Sequence, residues 1–235
     1  MQVMVIIPVY KHEAYLMDAV QSIINQTYNN WKMIIICDDI NLILDGYEKL
    51  DSRIKTVHSG DHRGKTKRLN EIIPEIEAEF IAFQDADDIS IPQRLALSVG
   101  TIGKADIIYG DSIYCSPNNR QKYVKAPGEV GFGSLNLDYL KYNAPGNTGS
   151  IMIKTATAKK VPFDENVQYG EDWIWWIKLF KYGIQIKKIE LPLYYYRNYT
   201  SNFELKAVNK FQTIFKKMYR YWLNYNLHKY VKQCL

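Results

Sequence analysis

The sequence predicts an α/β fold, a mostly parallel central sheet flanked by helices, with a C-terminal helical extension. Three observations carry this. Short apolar runs rich in β-branched residues alternate with stretches of helical periodicity. The chain has 235 residues, 47% hydrophobic and 23% charged, enough to bury a sizeable core and unlike a disordered polymer. Residues 205–235 differ in charge and pattern from everything before them.

Along the chain, "VMVIIP" (3–8) reads as a strand buried on both faces, and Leu16, Ala19, Val20, Ile23 and Ile24 recur at helical spacing. "WKMIIIC" (31–37) is a second strand and "IKTVH" (54–58) a short third. "KTKRLNEIIPEIEAE" (65–79) offers Leu69, Ile72 and Ile73 to a helix that Pro74 ends or kinks, and "EFIAF" (79–83) is the next strand. Such alternation implies parallel strands joined by right-handed crossovers. "IPQRL" (91–95) starts another helix, with Pro92 near its first turn. After "ADIIYGD" (105–111) the pattern loosens, and residues 115–150, with their Gly, Asn and Pro, read as loops. "GSIMIK" (149–154) is a strand. "EDWIWWIKLFKYG" (171–183) is a helix with an apolar stripe of Trp173, Trp176, Ile177 and Phe180 and a C-cap at Gly183.

The first apolar run is broken by Pro8 and has no basic segment ahead of it, so it reads as neither a signal peptide nor a membrane span. Cys37, Cys115 and Cys234 are too few and too scattered for a disulfide framework, which makes a reducing cytoplasm the expected compartment. The net charge of +5 is uneven. Residues 205–235 hold seven of the 30 Lys and Arg and none of the 25 acids, leaving the body at −2, so the basic balance does not point to nucleic acid. In that tail Val208, Phe211, Phe215, Met218, Trp222 and Tyr225 form one apolar stripe, with Lys210, Lys216, Lys217 and Arg220 available to flank it. Two uses fit: packing on the main domain, or peripheral contact with an anionic membrane.

"FIAFQDADDISIPQRL" (80–95) concentrates Asp85, Asp87 and Asp88 at a strand end. Like charges so close repel unless solvent or a cation intervenes. One reading is a solvated turn with Asp88 or Ser90 capping the next helix. The other is a site for Mg²⁺ or Mn²⁺, which takes one or two carboxylates and completes its shell with substrate phosphates and water. Asp-x-Asp alone is uninformative in a chain with 14 aspartates. Its place at the carboxyl edge of an α/β sheet, where ligands bind, supplies the meaning. "GKTKRLN" (64–70) sets Lys65, Lys67 and Arg68 at a helix start, suited to a diphosphate or simply solvated. Glu171 and Asp172 open the Trp-rich helix, as caps or as a general base.

In their order and spacing, "PVY" (8–10), "CDD" (37–39), "RGKTKRLN" (63–70), "QDADD" (84–88), "GNTGSIMIK" (146–154) and "YGEDW" (169–173) resemble the family-two inverting glycosyltransferases of GT-A fold. The resemblance runs from residue 4 to about residue 202. It implies a Rossmann-like domain over 1–204, with a nucleotide-binding half to about residue 111 and an acceptor half from about 112, followed by the helix of 205–235. It also implies that Pro8 and Tyr10 flank the nucleotide, Asp38 or Asp39 meets the base, Lys65 and Arg68 lie toward the phosphates, and Asp85 sits near the ribose. Asp87, with Asp88 beside it, would hold Mn²⁺ or Mg²⁺, and Asp172, with Glu171 the alternative, would be the base. The implied partners are a nucleotide-sugar donor, a UDP-sugar first, and a glycan or lipid-linked acceptor in surface polysaccharide synthesis. The "QxxRW" pattern of processive members is absent, which favours single-residue transfer. The rival readings are a sugar nucleotidyltransferase, which would need a Gly-rich loop after the first strand, and an inactive sugar-binding or membrane-adaptor relative.

Overall fold

The apolar runs do become strands, and they join one nine-stranded sheet. The computed structural model describes residues 1–10, 13–39, 42–116, 119–125, 140, 144–167 and 170–197. The amphipathic tail of 205–235 lies outside the described residues.

The first half follows the predicted alternation: β1 (Val3–Val9), α1 (Glu13–Ile24), β2 (Trp31–Cys37), α2 (Tyr47–Leu50), β3 (Ile54–His58), α3 (Lys65–Ile72) and β4 (Phe80–Phe83). Pro74 lies in a 3₁₀ turn, Ile73–Glu75, that closes α3. Strands β3, β2, β1 and β4 lie side by side and all pair in parallel.

The second half departs from the expectation. It contains β5 (Ile89–Ser90), α4 (Arg94–Ile102), β6 (Ile107–Ser116), β7 (Asn119–Lys125), β8 (Met152–Lys154), α5 (Thr155–Lys160), α6 (Glu171–Lys181) and β9 (Ile186–Arg197). β8 runs antiparallel between β4 and β6, β7 is antiparallel to β6, and β5 is antiparallel to β9, while β6 and β9 are parallel. The sheet is therefore mixed, not mostly parallel. Parallel pairing needs a crossover element, and no helix separates β6 from β7, so that connection reverses direction. β7 also places a strand within the span read as loops.

The sheet curls into a half-barrel. β8, β6 and β9 stand between β4 and β5 in the sheet order, although only residues 84–88 connect them in the chain. Four flat inter-strand spacings come to about 19 Å. A fully extended connection would barely span that, yet this one is folded into a turn, with the Asp88 N–H donating to the Asp85 carbonyl at 3.2 Å. Curling closes the distance and brings both ends of the sheet around the acidic turn. Gln26, just past the end of α1, secures the far side, donating to the Ile91 carbonyl at 2.7 Å and accepting the Leu95 N–H at 2.9 Å.

Strand alternation distributes the core to two faces. Val3, Val5, Ile7 and Val9 pack with Leu16, Val20 and Ile23 of α1 and with Leu95 and Val99 of α4. Ile6, Ile81 and Phe83 pack with Leu69 of α3 and with α6. On α6 the buried face is Ile174, Trp175, Trp176, Ile177 and Leu179, whereas Trp173 and Phe180 are half-buried. The predicted stripe is thus rotated, and Trp175, missing from it, is fully buried. Its ring stacks on Phe163 at 4.3 Å, meets Phe83 edge-on at 5.6 Å, and its Nε1–H donates to the Val161 carbonyl. Trp175→Ala should lower unfolding free energy by about 3–5 kcal/mol, read by urea denaturation. A loss under about 1 kcal/mol would show that this cluster does not hold α6 to the sheet.

Candidate active site

The carboxyl ends of β1, β2 and β4 converge where open α/β sheets bind ligands. Two adjoining cavities open there. One, of about 250 Å³, is lined by Pro8, Tyr10, Asp38, Lys65, Asp85 and Asp87 among others. The other, of about 420 Å³, shares Tyr10, Asp38 and Lys65 and adds His62, Glu165 and Glu171. Pro8 is half-buried at the end of β1, and the exposed Tyr10 ring stacks on His62 at 4.3 Å.

Asp38 directly follows β2 and is 4% exposed. Its Oδ1 accepts the Arg63 N–H at 2.9 Å and Arg68 Nε–H at 2.8 Å, and its Oδ2 accepts the Gly64 N–H at 2.8 Å and lies 2.8 Å from His62 Nδ1. Burial works to raise its pKa, but the hydrogen bonds from Arg63, Arg68 and Gly64 win and hold it below the usual carboxylate range. Gly64 makes this possible with φ of 90°, a backbone state that side chains disfavour, so that consecutive N–H groups reach one carboxylate. Asp39 is half-buried, and its carbonyl accepts the Cys37 S–H at 3.0 Å. Of the pair, Asp38 lines both cavities.

Arg68 does line the smaller cavity, yet its guanidinium is committed to Asp38, to Asp61 at 2.6 Å and to Glu71 at 3.0 Å. It anchors Asp38. Lys65, one turn earlier, instead spans the cleft: Nζ lies 3.0 Å from Asp85 Oδ1 and 3.3 Å from Glu171 Oε1. Burial would lower its pKa, but Asp85, Glu171 and Asp172 outweigh burial and raise it, so it stays a cation.

The acidic turn is not a helix cap. The residue before α4 is Gln93, without a side-chain capping bond, and Ser90 donates its hydroxyl to Gln84 Oε1 at 2.6 Å. Asp85 and Asp87 are half-buried and line the cleft. Asp88 is 1% exposed; its Oδ1 accepts the Arg197 N–H at 2.9 Å, and its Oδ2 has no hydrogen-bond partner among the described residues. Burial first, then repulsion from Asp85 and Asp87, pushes its pKa well up. Gly149 lets the neighbouring loop close on these acids, since a Cβ there would sit 3.0 Å from Asp85 Oδ2. Behind them Arg94, 1% exposed, donates to Gln84, Ser90 and the Phe83 carbonyl.

Among the described residues no group of three or more His, Cys, Asp or Glu could enclose a metal ion. The donor set fits the other mode of holding Mg²⁺ or Mn²⁺, in which one or two carboxylates serve and substrate oxygens complete the shell. Asp85 and Asp87 face the cleft, and the unpartnered Asp88 oxygen marks an excess of buried negative charge.

At the opposite wall, Gly170 precedes α6 with φ of 71°, and Glu171 and Asp172 form its first turn. Asp172 Oδ1 accepts the Trp173 N–H at 2.8 Å. Burial and the Glu171 charge push its pKa up to about 6, against the opposing pull of Lys65. The structure therefore gathers Pro8, Tyr10, Asp38, Lys65, Arg68, Asp85, Asp87 and Glu171 around one cleft, with Asp172 next to Glu171 and Asp88 buried behind the acidic turn. His62, Gly149, Arg94 and Arg197 were not read from sequence. No local pattern marks them, because each acquires its partners through folding.

The model of glycosyl transferase family 2 matches residues 4–159. An uncharacterised glycosyltransferase of Rickettsia bellii is 27% identical over 182 residues, covering 76% of this chain and 26% of that protein. The Escherichia coli UDP-Glc:alpha-D-GlcNAc-diphosphoundecaprenol beta-1,3-glucosyltransferase WfgD is 27% identical over 183 residues, covering 76% of this chain and 70% of its own. Residues 1–349 of S. aureus TarS, solved with UDP-GlcNAc, superpose with a TM-score of 0.68 at 20% identity, covering 86% of this chain and 60% of that one. That likeness establishes a shared fold. The chain spans about a quarter of the length of the Rickettsia relative.

The Asp38 network carries a stability prediction. A carboxylate with a depressed folded pKa stabilises above its unfolded pKa of about 3.9, and the contribution is lost as pH falls through the folded value. Asp38→Asn should cost about 3 kcal/mol at pH 7, with a smaller deficit at pH 3, both measured by urea unfolding. An equal deficit at both pH values would mean that the charge plays no part.

Proposed function

Because the chain belongs to glycosyl transferase family 2, we propose that it moves one sugar from a nucleotide-sugar donor to an acceptor hydroxyl, with inversion at the anomeric carbon. One observation carries this reading: Lys65 joins Asp85 of the acidic turn to Glu171, beside Asp172, across a single cleft. Donor-side and acceptor-side carboxylates are thereby within reach of one reacting centre. The donor we favour is a UDP-sugar and the acceptor a lipid-linked glycan of a surface polysaccharide, supported by the name of WfgD and by the nucleotide in the TarS complex.

In this reading Tyr10 and Pro8 flank the nucleobase, Asp38 lies at its edge, and Asp85 faces the ribose. Asp87, with Asp88 beside it, would hold Mn²⁺ or Mg²⁺, which when bound would neutralise charge on the departing diphosphate. Lys65 adds a fixed positive charge at the same place. Asp172 accepts the proton of the acceptor hydroxyl while that oxygen forms the new bond to the anomeric carbon and the bond to the diphosphate oxygen breaks. A base with a pKa of about 6 is ionised at neutral pH and still basic enough to take a proton in the transition state.

Incubating purified protein with a panel of nucleotide sugars and Mn²⁺ tests the reading. Turnover of at least one donor is expected, falling about 10²-fold or more in Asp87→Ala and in Asp172→Asn. Asp172→Asn should still bind donor and be no less stable at pH 8, because ionising a carboxyl whose folded pKa is raised costs folding free energy above that pKa. Full activity in EDTA, or in either variant, would sink the assignment.

The charges around Asp172 also set its pH response. Glu171 and Asp85 raise its pKa, and Lys65 lowers it. Transfer should therefore fall as pH drops through about 6. Lys65→Met should move that acid limb to higher pH, besides lowering the rate, because the cation that favours the ionised base is gone. An unmoved limb in the normalised pH profile would disconnect Lys65 from the base.

A further inference from the structure

Arg197 ends β9 with a side chain 2% exposed, and no step above uses it. Its contacts converge from two sides, the acidic turn and α1. The main-chain N–H donates to Asp88 Oδ1 at 2.9 Å, and Nη1 donates to the Asp87 carbonyl at 2.7 Å. Nη2 pairs with Asp18 of α1, and the guanidinium lies over the Tyr15 ring at 4.6 Å. Nε is buried without a hydrogen-bond partner among the described residues. A planar guanidinium fixed at both ends is a rigid spacer, which a lysine ammonium on its flexible stem is not.

We infer that Arg197 is a positioning residue that clamps the Asp87–Asp88 segment between α1 and β9, aiming the Asp87 carboxylate at the cation and diphosphate of the donor. The inference rests on the donor reading proposed above. Asp87 leaves the acidic turn through a carbonyl held by Nη1, and Asp88, its neighbour, is held through its carboxylate by the same residue's backbone. Two consecutive residues fastened to one arginine leave the intervening backbone little rotation, so the Cα–Cβ direction of Asp87 is set by the clamp. Asp18 is the remote end of the device, since it grips the guanidinium from α1.

Calorimetric titration of the full chain with UDP, once with Mn²⁺ and once in EDTA, separates positioning from folding. Arg197→Met should weaken Mn²⁺-dependent UDP binding about tenfold or more while binding in EDTA stays within about twofold, the size expected when support behind a metal ligand is removed. Arg197→Lys, which keeps charge but loses the planar fork, should also weaken it. Asp18→Asn should shift affinity the same way by a smaller factor; it leaves both contacts to the acidic turn in place, and it carries the test alone where Arg197→Met does not fold. Unchanged Mn²⁺-dependent affinity in the folded variants, or an equal fall in EDTA, overturns the positioning role. Wild-type binding that gains nothing from Mn²⁺ overturns the donor reading itself and this inference with it, an outcome the unmutated control identifies.

Discussion

Lys65 lies between two sets of carboxylates that would otherwise repel each other across the cleft, 3.0 Å from Asp85 and 3.3 Å from Glu171. The rest of the site depends on that bridge. Six acidic side chains, from two strand ends and one helix start, face or back a single cleft, and burial makes each negative charge more costly than it would be in water. The fold answers with cations fixed in place: Lys65 in the cleft, Arg68 behind Asp38, Arg197 behind the acidic turn, and Arg94 beneath it. Compensation is incomplete at Asp88 and Asp172, whose pKa values are both pushed up. An unbalanced negative charge of this kind suits a site whose remaining counter-charge arrives with a ligand.

The curl of the sheet makes the bridge possible. In a flat arrangement β9 would lie three strands from β4, and Arg197 could not reach the acidic turn. With β5 pairing to β9, the turn after β4 is held from both directions, by the parallel half through β1 and by the mixed half through β9. Gly149 then brings the loop before β8 against Asp85. The strand ends that carry Asp38 and the acidic turn and the strands of the mixed half are therefore parts of one continuous sheet.

What the sequence revealed and what it hid follow one physical division. β1, β2 and β4 are buried on both faces, so their apolar runs announced them, and the aspartates stood out because charge directly after such a run is unexpected. β9 was hidden. Its segment "IKKIELPLYYYR" carries two lysines and a proline and lacks strict alternation, and it is a strand because β6 pairs with it along most of its length. Pro192 is accommodated where the β6–β9 register shifts, since proline suits an irregularity better than a regular ladder. The rotated face of α6 has a similar origin: its five buried residues share one core cluster with residues of β4, β6 and the 158–163 segment, a match that helical periodicity alone could not rank. The supporting arginines were hardest to foresee. Arg197 and its partner Asp18 are 179 positions apart, beyond the range of any local pattern.

Glu171 and Asp172 show how neighbouring identical groups come to differ. Both open α6 and both would be read from sequence as caps that favour the helix dipole. In the folded chain Glu171 reaches Lys65 and is held by it, while Asp172 accepts its hydrogen bond from the Trp173 N–H and is raised to about 6 by burial and by the charge of Glu171. The lysine thus acts on the two acids unequally, as a direct ion-pair partner to one and as a weaker, more distant counter-charge to the other. Environments that separate two carboxylates in this way are how one site obtains a structural anion and a proton acceptor from the same chemistry. The proposed base is then Asp172 because Glu171 already has a partner, and the cost of leaving Asp172 partly uncompensated is what keeps it able to accept a proton near neutral pH.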